Sequence, residues 1–316
     1  MPTEHAIWQI SGGPATRSYA DLFLRYGVAL LGPGDAGRWA AERSDEEFEG
    51  GFIRRFADEA QIGDIFVLRK GLSKIAAVGI VASEYLYLNQ FDDVNGWDLQ
   101  HARRLRWCPL PAEYEFKGTV FGANPPRFAR VLTDEVADYA RRFVNSPPTH
   151  WQTALLPALP DEEPALSEVP TALRDLVAQA QDCHALPWSA FGEVPTEDEF
   201  VAHFVVPLLR ALGWPPERIA LKWRWIDVAL FRALPRSPET CHLVIEAKRY
   251  GAGVEGALEQ AKGYVQALGV PRDVLVTDGI RYRLYACERD FAPIAYANLA
   301  RLKRSAGELF ERLRRP

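Results

Sequence analysis

Hydrophobic and polar positions alternate in short runs along the first half of the chain, a pattern typical of β-strands. These runs cover residues 6–10, 28–31, 64–69, 75–83 and 103–110. Residues 70–74 join two of them over a length typical of a hairpin connection. A helix is predicted over 134–144. The N-terminal part is therefore predicted to be a small, mostly β unit with some helix.

The second half has a different pattern, in which helical and strand periods alternate. Thr196 and Glu199 form a capping box at the start of a helix whose apolar face continues through Phe200, Phe204 and Leu208. Strands are predicted over 225–231 and 242–249, a helix over 254–268, and two more strands over 274–277 and 280–285 around Asp278-Gly279. The order α-β-β-α-β-β predicts an α/β (α+β) fold.

A segment rich in proline and acidic residues separates these two halves. It predicts an N-terminal domain over 1–147, a linker over 148–190 with one helix at 167–182, and a C-terminal domain over 191–316.

The composition is that of a folded, reduced, cytoplasmic protein. The chain has 316 residues, of which 48% are hydrophobic and 25% charged. No apolar run is long enough to cross a membrane, and the first residues lack the pattern of a signal peptide. The four cysteines lie far apart without a CxxC spacing, which excludes a disulfide framework or a zinc knuckle.

Charge is unevenly distributed around a net value of −5. Residues 151–200 carry ten acids and one base, whereas residues 281–316 carry nine bases and four acids. The basic C-terminal segment is either a nucleic-acid surface or a solvated helix.

The candidate chemistry begins with three charged residues on two predicted strands. Glu246 and Lys248 lie two positions apart and therefore point to the same face of an otherwise apolar strand. A buried carboxylate and ammonium are costly unless they pair for structure or build a site. Asp227, at the head of the neighbouring strand, adds a second carboxylate. Two carboxylates form a hard oxygen site suited to Mg²⁺.

Two helices carry further candidates. Glu197 has the spacing of the apolar face that includes Phe200 and Phe204, so we assign it to the site, whereas Glu199 has its capping role. Gln260 and Tyr264 lie four residues apart on one face of the second helix and are predicted to face the metal water or a phosphate.

These motifs together resemble the PD-(D/E)XK nuclease superfamily, most closely the nuclease domain of type I restriction motor subunits. The resemblance covers about 195–290 and rests on Thr196-Glu197, Ile226-Asp227, Ile245-Glu246-Ala247-Lys248, Gln260-Ala261-Lys262-Gly263-Tyr264 and Val276-Thr277-Asp278-Gly279. It implies Mg²⁺-dependent phosphodiester hydrolysis, with metal bound by Asp227 and Glu246 and with Glu197 nearby. Lys248 matches the catalytic lysine, and Gln260 and Tyr264 match the QxxxY motif. The sequence departs from the family name at Ile226, which replaces a proline.

The N-terminal residues resemble the EVE-like branch of PUA-like domains over about 5–110. The resemblance rests on the segments 8–13, 63–67, 77–81 and 101–107. It implies a curved sheet that holds a flipped, modified base. The candidates are Trp8, Trp39, Tyr85, Tyr87 and Trp97 for stacking, Ser11 and Asp64 for the base edge, and Arg103, Arg104 and Arg106 for DNA phosphates. Core packing remains the alternative for each aromatic residue.

Three functions are compatible with this sequence. The first is a modification-dependent DNA endonuclease of a restriction system that acts against invading DNA, with a homodimer plausible for double-strand cleavage. The second is a defence nuclease gated by a small ligand such as a nucleotide second messenger. The third is a non-catalytic nucleic-acid-binding protein on an inactive nuclease scaffold.

Overall fold

The chain is a mixed α and β protein built from two units, Met1–Glu162 and Glu163–Pro316. The computed structural model describes residues 5–13, 18–34, 36–48, 50–145, 155–185, 195–250 and 254–315. Among these residues, no helix is both long and apolar enough to cross a membrane.

The N-terminal unit is built on a curled, half-barrel sheet. Within the described residues its strands are β1 (Ile7–Ser11), β2 (Val28–Leu31), β3 (Ile65–Lys70), β4 (Lys74–Val81), β5 (Leu86–Tyr87), β6 (His101–Glu115) and β7 (Phe128–Arg130). The strand order is β2-β6-β4-β3-β1-β7, with β5 paired to β6. The β1–β3 pair is parallel, and the other pairs are antiparallel.

Both faces of this sheet are covered, which explains why β3 is buried at nearly every position. Phe66 and Leu68 pack into a core on one face, whereas Ile65 and Val67 pack into a second core on the other. In the part of this unit that the structure describes, the α-helices are α1 (Ala20–Tyr26), α2 (Phe52–Arg54), which continues as a π-turn over Arg55–Glu59, and α3 (Asp134–Asn145). Helix α3 contributes Val136, Ala137 and Ala140 to the second core.

The C-terminal unit is a six-stranded sheet between helices, as far as the structure describes it. Its strands are β8 (Ile219–Trp223), β9 (Ile226–Phe231), β10 (Cys241–Ala247), β11 (Asp273–Thr277), β12 (Arg281–Ala286) and β13 (Ala292–Asn298), in the order β13-β12-β11-β10-β9-β8. The β10–β11 pair is parallel, and the others are antiparallel.

Among its described residues, the α-helices of this unit are α4 (Arg174–Ala185), α5 (Glu197–Phe200), α6 (Val206–Ala211), α7 (Leu258–Leu268) and α8 (Ala306–Leu313). A π-turn over Val201–Val205 joins α5 to α6. Helices α4, α5, α6 and α8 share a core with Leu243 and Ile245 of β10. Helix α7 covers the opposite face, where it packs with Val244. Strand β10 is therefore buried on both faces.

The prediction of a linker over 148–190 is wrong for residues 174–185, which form helix α4. Helix α4 buries Leu176, Val177 and Ala180 in the C-terminal core, so it belongs to that unit and not to a tether. The boundary between the units lies at Glu162 and Glu163. Apolar residues on one face of α4 need a surface to cover them, and the helices around the sheet provide it. The rest of the predicted linker, residues 148–154 and 186–190, lies outside the described residues.

Candidate functional site

The register of β9 against β10 brings the carboxylates of Asp227 and Glu246 together. Val228 pairs with Ile245 in this antiparallel ladder, so the next facing pair is Asp227 and Glu246. Directly facing side chains point to the same side of a sheet. Both residues are buried, with 7% and 0% of their surface exposed, and Asp227 Oδ2 accepts a hydrogen bond of 2.8 Å from the backbone N–H of Ala247.

A chain of polar contacts extends from Glu246 to helix α7. The Lys248 ammonium pairs with Glu246 Oε1 and donates to Gln260 Oε1 at 3.1 Å. The side-chain amide of Gln260 in turn donates to the Tyr264 hydroxyl at 2.8 Å. The structure therefore brings Asp227, Glu246, Lys248, Gln260 and Tyr264 into one connected group at the carboxyl end of β10.

Glu246 is the most electrostatically strained member of this group. Burial, together with the nearby Asp227 carboxylate and against the opposing effect of Lys248, raises the pKa of its carboxyl to about 7. Its Oε2 atom is buried and accepts no hydrogen bond from any described residue. A buried oxygen without a donor costs free energy, and a bound cation would relieve that cost.

Sequence reasoning missed Lys222, which lies against Asp227, and Asp198, which pairs with the same ammonium. Lys222 of β8 faces Asp227 in the β8–β9 register, and its ammonium lies 2.8 Å from Asp227 Oδ1 and 2.9 Å from Asp198 Oδ1. Hydrogen bonding to Asp227 raises the pKa of Lys222. Lys222 and Asp227 lie at equal distances in sequence from a two-residue turn, so a hairpin there would predict that they face each other. This prediction requires that β8 is first recognised as a strand.

Glu197 does not join the carboxylates, contrary to the prediction. It is half-buried in the first turn of α5, and no three Asp, Glu, His or Cys side chains among the described residues form a group that could hold a metal. The spacing to Phe200 places Glu197 at the end of the apolar face, in the first helical turn, where its side chain is only half-buried.

The donor set that remains fits Mg²⁺. Asp227 and Glu246 offer hard carboxylate oxygens from adjacent strands, and Mg²⁺ is commonly bound through one or two protein carboxylates while it keeps several waters. The Lys222 ammonium already lies against Asp227 Oδ1, which shows that this oxygen attracts a cation.

In the N-terminal unit, Trp8 and Asp64 are part of the core. The Trp8 indole N–H donates to Asp64 Oδ2 at 2.8 Å, and its ring stacks on Phe128 with centroids 4.9 Å apart. The Asp64 carboxylate also accepts backbone N–H groups of Ala6 and Gln61. The predicted roles of Trp8 as a stacking face and Asp64 as a base-edge contact are therefore wrong, because both are fully engaged inside the protein.

Two of the predicted aromatic residues, Tyr85 and Tyr87, contact a histidine that sequence reasoning did not select as a site residue, and Trp39 lies against Tyr85. We call Trp39, Tyr85, Tyr87 and His101 the His101 cluster. The Tyr85 hydroxyl accepts the Trp39 backbone N–H at 3.0 Å and lies 2.8 Å from His101 Nδ1, and the two rings stack 5.9 Å apart. Tyr87 meets the same imidazole edge-on at 5.6 Å.

The contacts of His101 assign the donor role to Nε2. Nε2 lies 2.8 Å from the Pro33 carbonyl oxygen, which can only accept, so Nε2 carries the proton. Nδ1 can then accept from the Tyr85 hydroxyl, and a neutral imidazole satisfies both contacts. Trp39 is buried and donates its indole N–H to Asp58, whereas Tyr85 and Tyr87 are half-buried.

The remaining N-terminal candidates differ in accessibility. Trp97 is half-buried beside a bridge to Val94, and the Ser11 hydroxyl accepts the Gly13 backbone N–H. Arg104 is partly exposed and Arg106 is exposed.

Arg103 is not a phosphate contact in this structure. It is 0% exposed, and its guanidinium donates to the carbonyl oxygens of Phe56, Ala57 and Ser83. Alternation along β6 directs its side chain inward.

Comparisons with known proteins cover parts of the chain. A family model described as a domain of unknown function (DUF8426) matches residues 16–118. No curated protein matches. A solved structure of a fragment named as an HsdR subunit of a type I restriction enzyme, from Vibrio vulnificus YJ016, is similar at 21% identity with a TM-score of 0.26. The similarity covers 38% of this chain and 25% of that fragment.

Proposed function

We propose that the C-terminal unit is a Mg²⁺-dependent endonuclease that hydrolyses phosphodiester bonds in DNA. The observation that carries this proposal is the single connected group of Asp227, Glu246, Lys248, Gln260 and Tyr264. These are the residues of the PD-(D/E)XK resemblance, in its order.

Asp227 and Glu246 are the proposed metal ligands. When bound, Mg²⁺ supplies a Lewis acid for a phosphoryl oxygen and lowers the pKa of a coordinated water. These two carboxylates would hold the ion, and Glu246 Oε2 is a buried oxygen that accepts no hydrogen bond from any described residue. Lys222 would then retain Asp198 as its partner, since the same ammonium already contacts both carboxylates.

Lys248 is the proposed residue that orients the attacking water and stabilises the charge that develops on phosphorus. Its ammonium is held between Glu246 and Gln260 and is partly exposed, so it can reach an incoming phosphate. In hydrolysis, a water oxygen forms the new bond to phosphorus as one ester bond breaks, and the proton that the water loses is balanced by the proton that the departing oxygen takes up. Tyr264 positions Gln260, and Gln260 positions Lys248.

The N-terminal unit is the proposed reader of a modified base, which would make the whole chain a modification-dependent restriction enzyme. Within the described residues, the His101 cluster supports this role best, because Tyr85 and Tyr87 combine aromatic surface with partial exposure. The same cluster could hold the base of a small nucleotide, the alternative in which a ligand gates the nuclease. Cleavage of both strands would require two active sites and therefore a homodimer.

The test is cleavage of a DNA plasmid by the full chain with Mg²⁺, with EDTA as the reference. We expect Asp227→Asn to lower the rate by about 100-fold or more through the loss of a metal ligand, and Lys248→Ala to do so through the loss of a charge-stabilising group. Glu259→Gln is the matched control, because Glu259 lies beside Gln260 on α7 but pairs with Lys262. Undiminished cleavage by Lys248→Ala would refute the assignment. DNA binding without cleavage by the wild-type protein would favour the non-catalytic alternative.

A further inference from the structure

The tip of the β8–β9 hairpin exposes a tryptophan beside the proposed site. Trp223 and Ile226 are the last pair of the ladder, so Arg224 and Trp225 form a two-residue loop. Trp225 is 84% exposed. Tryptophan is usually well buried in folded proteins, so this indole gains nothing from the hydrophobic core.

The backbone of this loop is strained for the residues it contains. Arg224 has φ of +50° and Trp225 has φ of +68°, and Lys222 just before them has φ of +50°. A two-residue loop with positive φ at both positions is normally occupied by Asn-Gly, because bulky side chains are outliers there. Arg224 and Trp225 adopt a backbone conformation that their residue types disfavour, and neither is buried in return. Such a combination indicates a functional constraint.

The surroundings of Trp225 favour one class of ligand. Arg224 is exposed, with its guanidinium 5.1 Å from the Trp223 ring centroid, and Asp227 follows Trp225 by only two positions. An exposed indole that stacks on bases, beside an arginine that contacts phosphates, is the usual combination on single-stranded or locally opened nucleic acid.

We propose that the hairpin tip is a nucleic-acid contact, in which Trp225 stacks on a base of the bound strand and Arg224 contacts an adjacent phosphate. This inference rests on the proposed function, since it places the bound strand next to Asp227. It adds a residue pair that lies outside the motif residues and that holds the strand at the site.

The substitution Trp225→Gly removes the indole without straining the loop, because glycine adopts positive φ without strain. Its effect on nucleic-acid binding can therefore be measured apart from any effect on folding. We expect this variant to unfold at the same or a higher temperature than wild type. We also expect its affinity for a labelled DNA with a short single-stranded gap, measured by fluorescence anisotropy with Ca²⁺ in place of Mg²⁺, to fall by about tenfold or more. Leu221→Ser is the control, because Leu221 is exposed on the same hairpin but lies next to Lys222 on the opposite face of β8.

Binding in Ca²⁺ tests this inference, and cleavage in Mg²⁺ tests the proposed function. Unchanged affinity of Trp225→Gly, or an equal loss in Leu221→Ser, would overturn the contact. A lower unfolding temperature for Trp225→Gly would show that the indole serves the fold and would also overturn it. So would a wild-type protein that binds anionic lipid vesicles through Trp225 and does not bind DNA. Trp225-dependent binding without cleavage would refute the nuclease and support the contact.

Discussion

At the scale of single residues, Glu246 has an unusual protonation equilibrium. Its folded-state pKa of about 7 lies above the ordinary value of 4.5 because the carboxyl is buried beside Asp227. The folded protein therefore holds a proton that the unfolded chain releases between these two pH values. Stability from this group is full below about pH 4.5 and is lost as the pH rises toward 7.

The corresponding prediction is measured by chemical unfolding in EDTA between pH 4.5 and 8. Relative to Glu246→Gln, the wild-type free energy of unfolding should fall by up to ~3 kcal/mol as the pH approaches 7. Mg²⁺ should restore stability mainly above pH 7, because only the ionised carboxylate binds metal. A difference between the two proteins that does not vary with pH would contradict the predicted protonation.

Residue type alone predicts some of the site residues but does not predict which side chains are buried. Asp227, Glu246 and Lys248 could be selected from the sequence because charge in an apolar strand is costly and therefore informative. Arg103 and Trp8 could not be placed, because strand alternation gives the face of a side chain but not which faces are covered. Here both faces of the N-terminal sheet are covered.

At the scale of elements, the loop that follows β11 depends on a glycine. Gly279 has φ of +88°, and a Cβ there would lie 2.7 Å from the Phe200 ring. The element packed against it is α5, so this glycine sets the distance between the helix and the loop.

Gly279→Ala should therefore lower the free energy of unfolding by about 2 kcal/mol or more, through backbone strain and overpacking. Gly263→Ala is the matched control in α7, where a Cβ meets nothing within 4 Å and where alanine should stabilise by about 0.5–1 kcal/mol. Urea unfolding measures both. Equal effects of the two substitutions would show that the contact with Phe200 does not constrain the loop.

Strands and helices could be predicted from the sequence where one regular hydrophobic period runs through the whole segment. Strands β3, β4 and β9 to β12 and helix α3 appear near their predicted bounds. Strand β8 was missed because Leu221 and Lys222 are both exposed, which removes the alternation. The segment from Glu197 to Ala211 was predicted as one helix, but it contains a π-turn that no period in the sequence indicates.

At the scale of the whole molecule, each unit has hydrophobic cores of its own. The residues proposed to cut DNA and those proposed to read it therefore lie in different units. If base reading is confined to the N-terminal unit, a substitution there should abolish discrimination between modified and unmodified DNA and leave the cleavage activity of the C-terminal unit intact.

Tyr85→Ala tests this separation, because it removes a half-buried aromatic face from the His101 cluster while the C-terminal unit is unaltered. We expect wild type to cleave plasmids with modified cytosine faster than unmodified ones, and Tyr85→Ala to cleave both at the slower rate. Tyr85→Phe keeps the ring and loses the hydroxyl contacts with Trp39 and His101, so it should retain part of the preference. Equal cleavage of both plasmids by wild type would exclude base reading, and activation of wild type by a nucleotide would then favour the ligand-gated alternative for the same cluster.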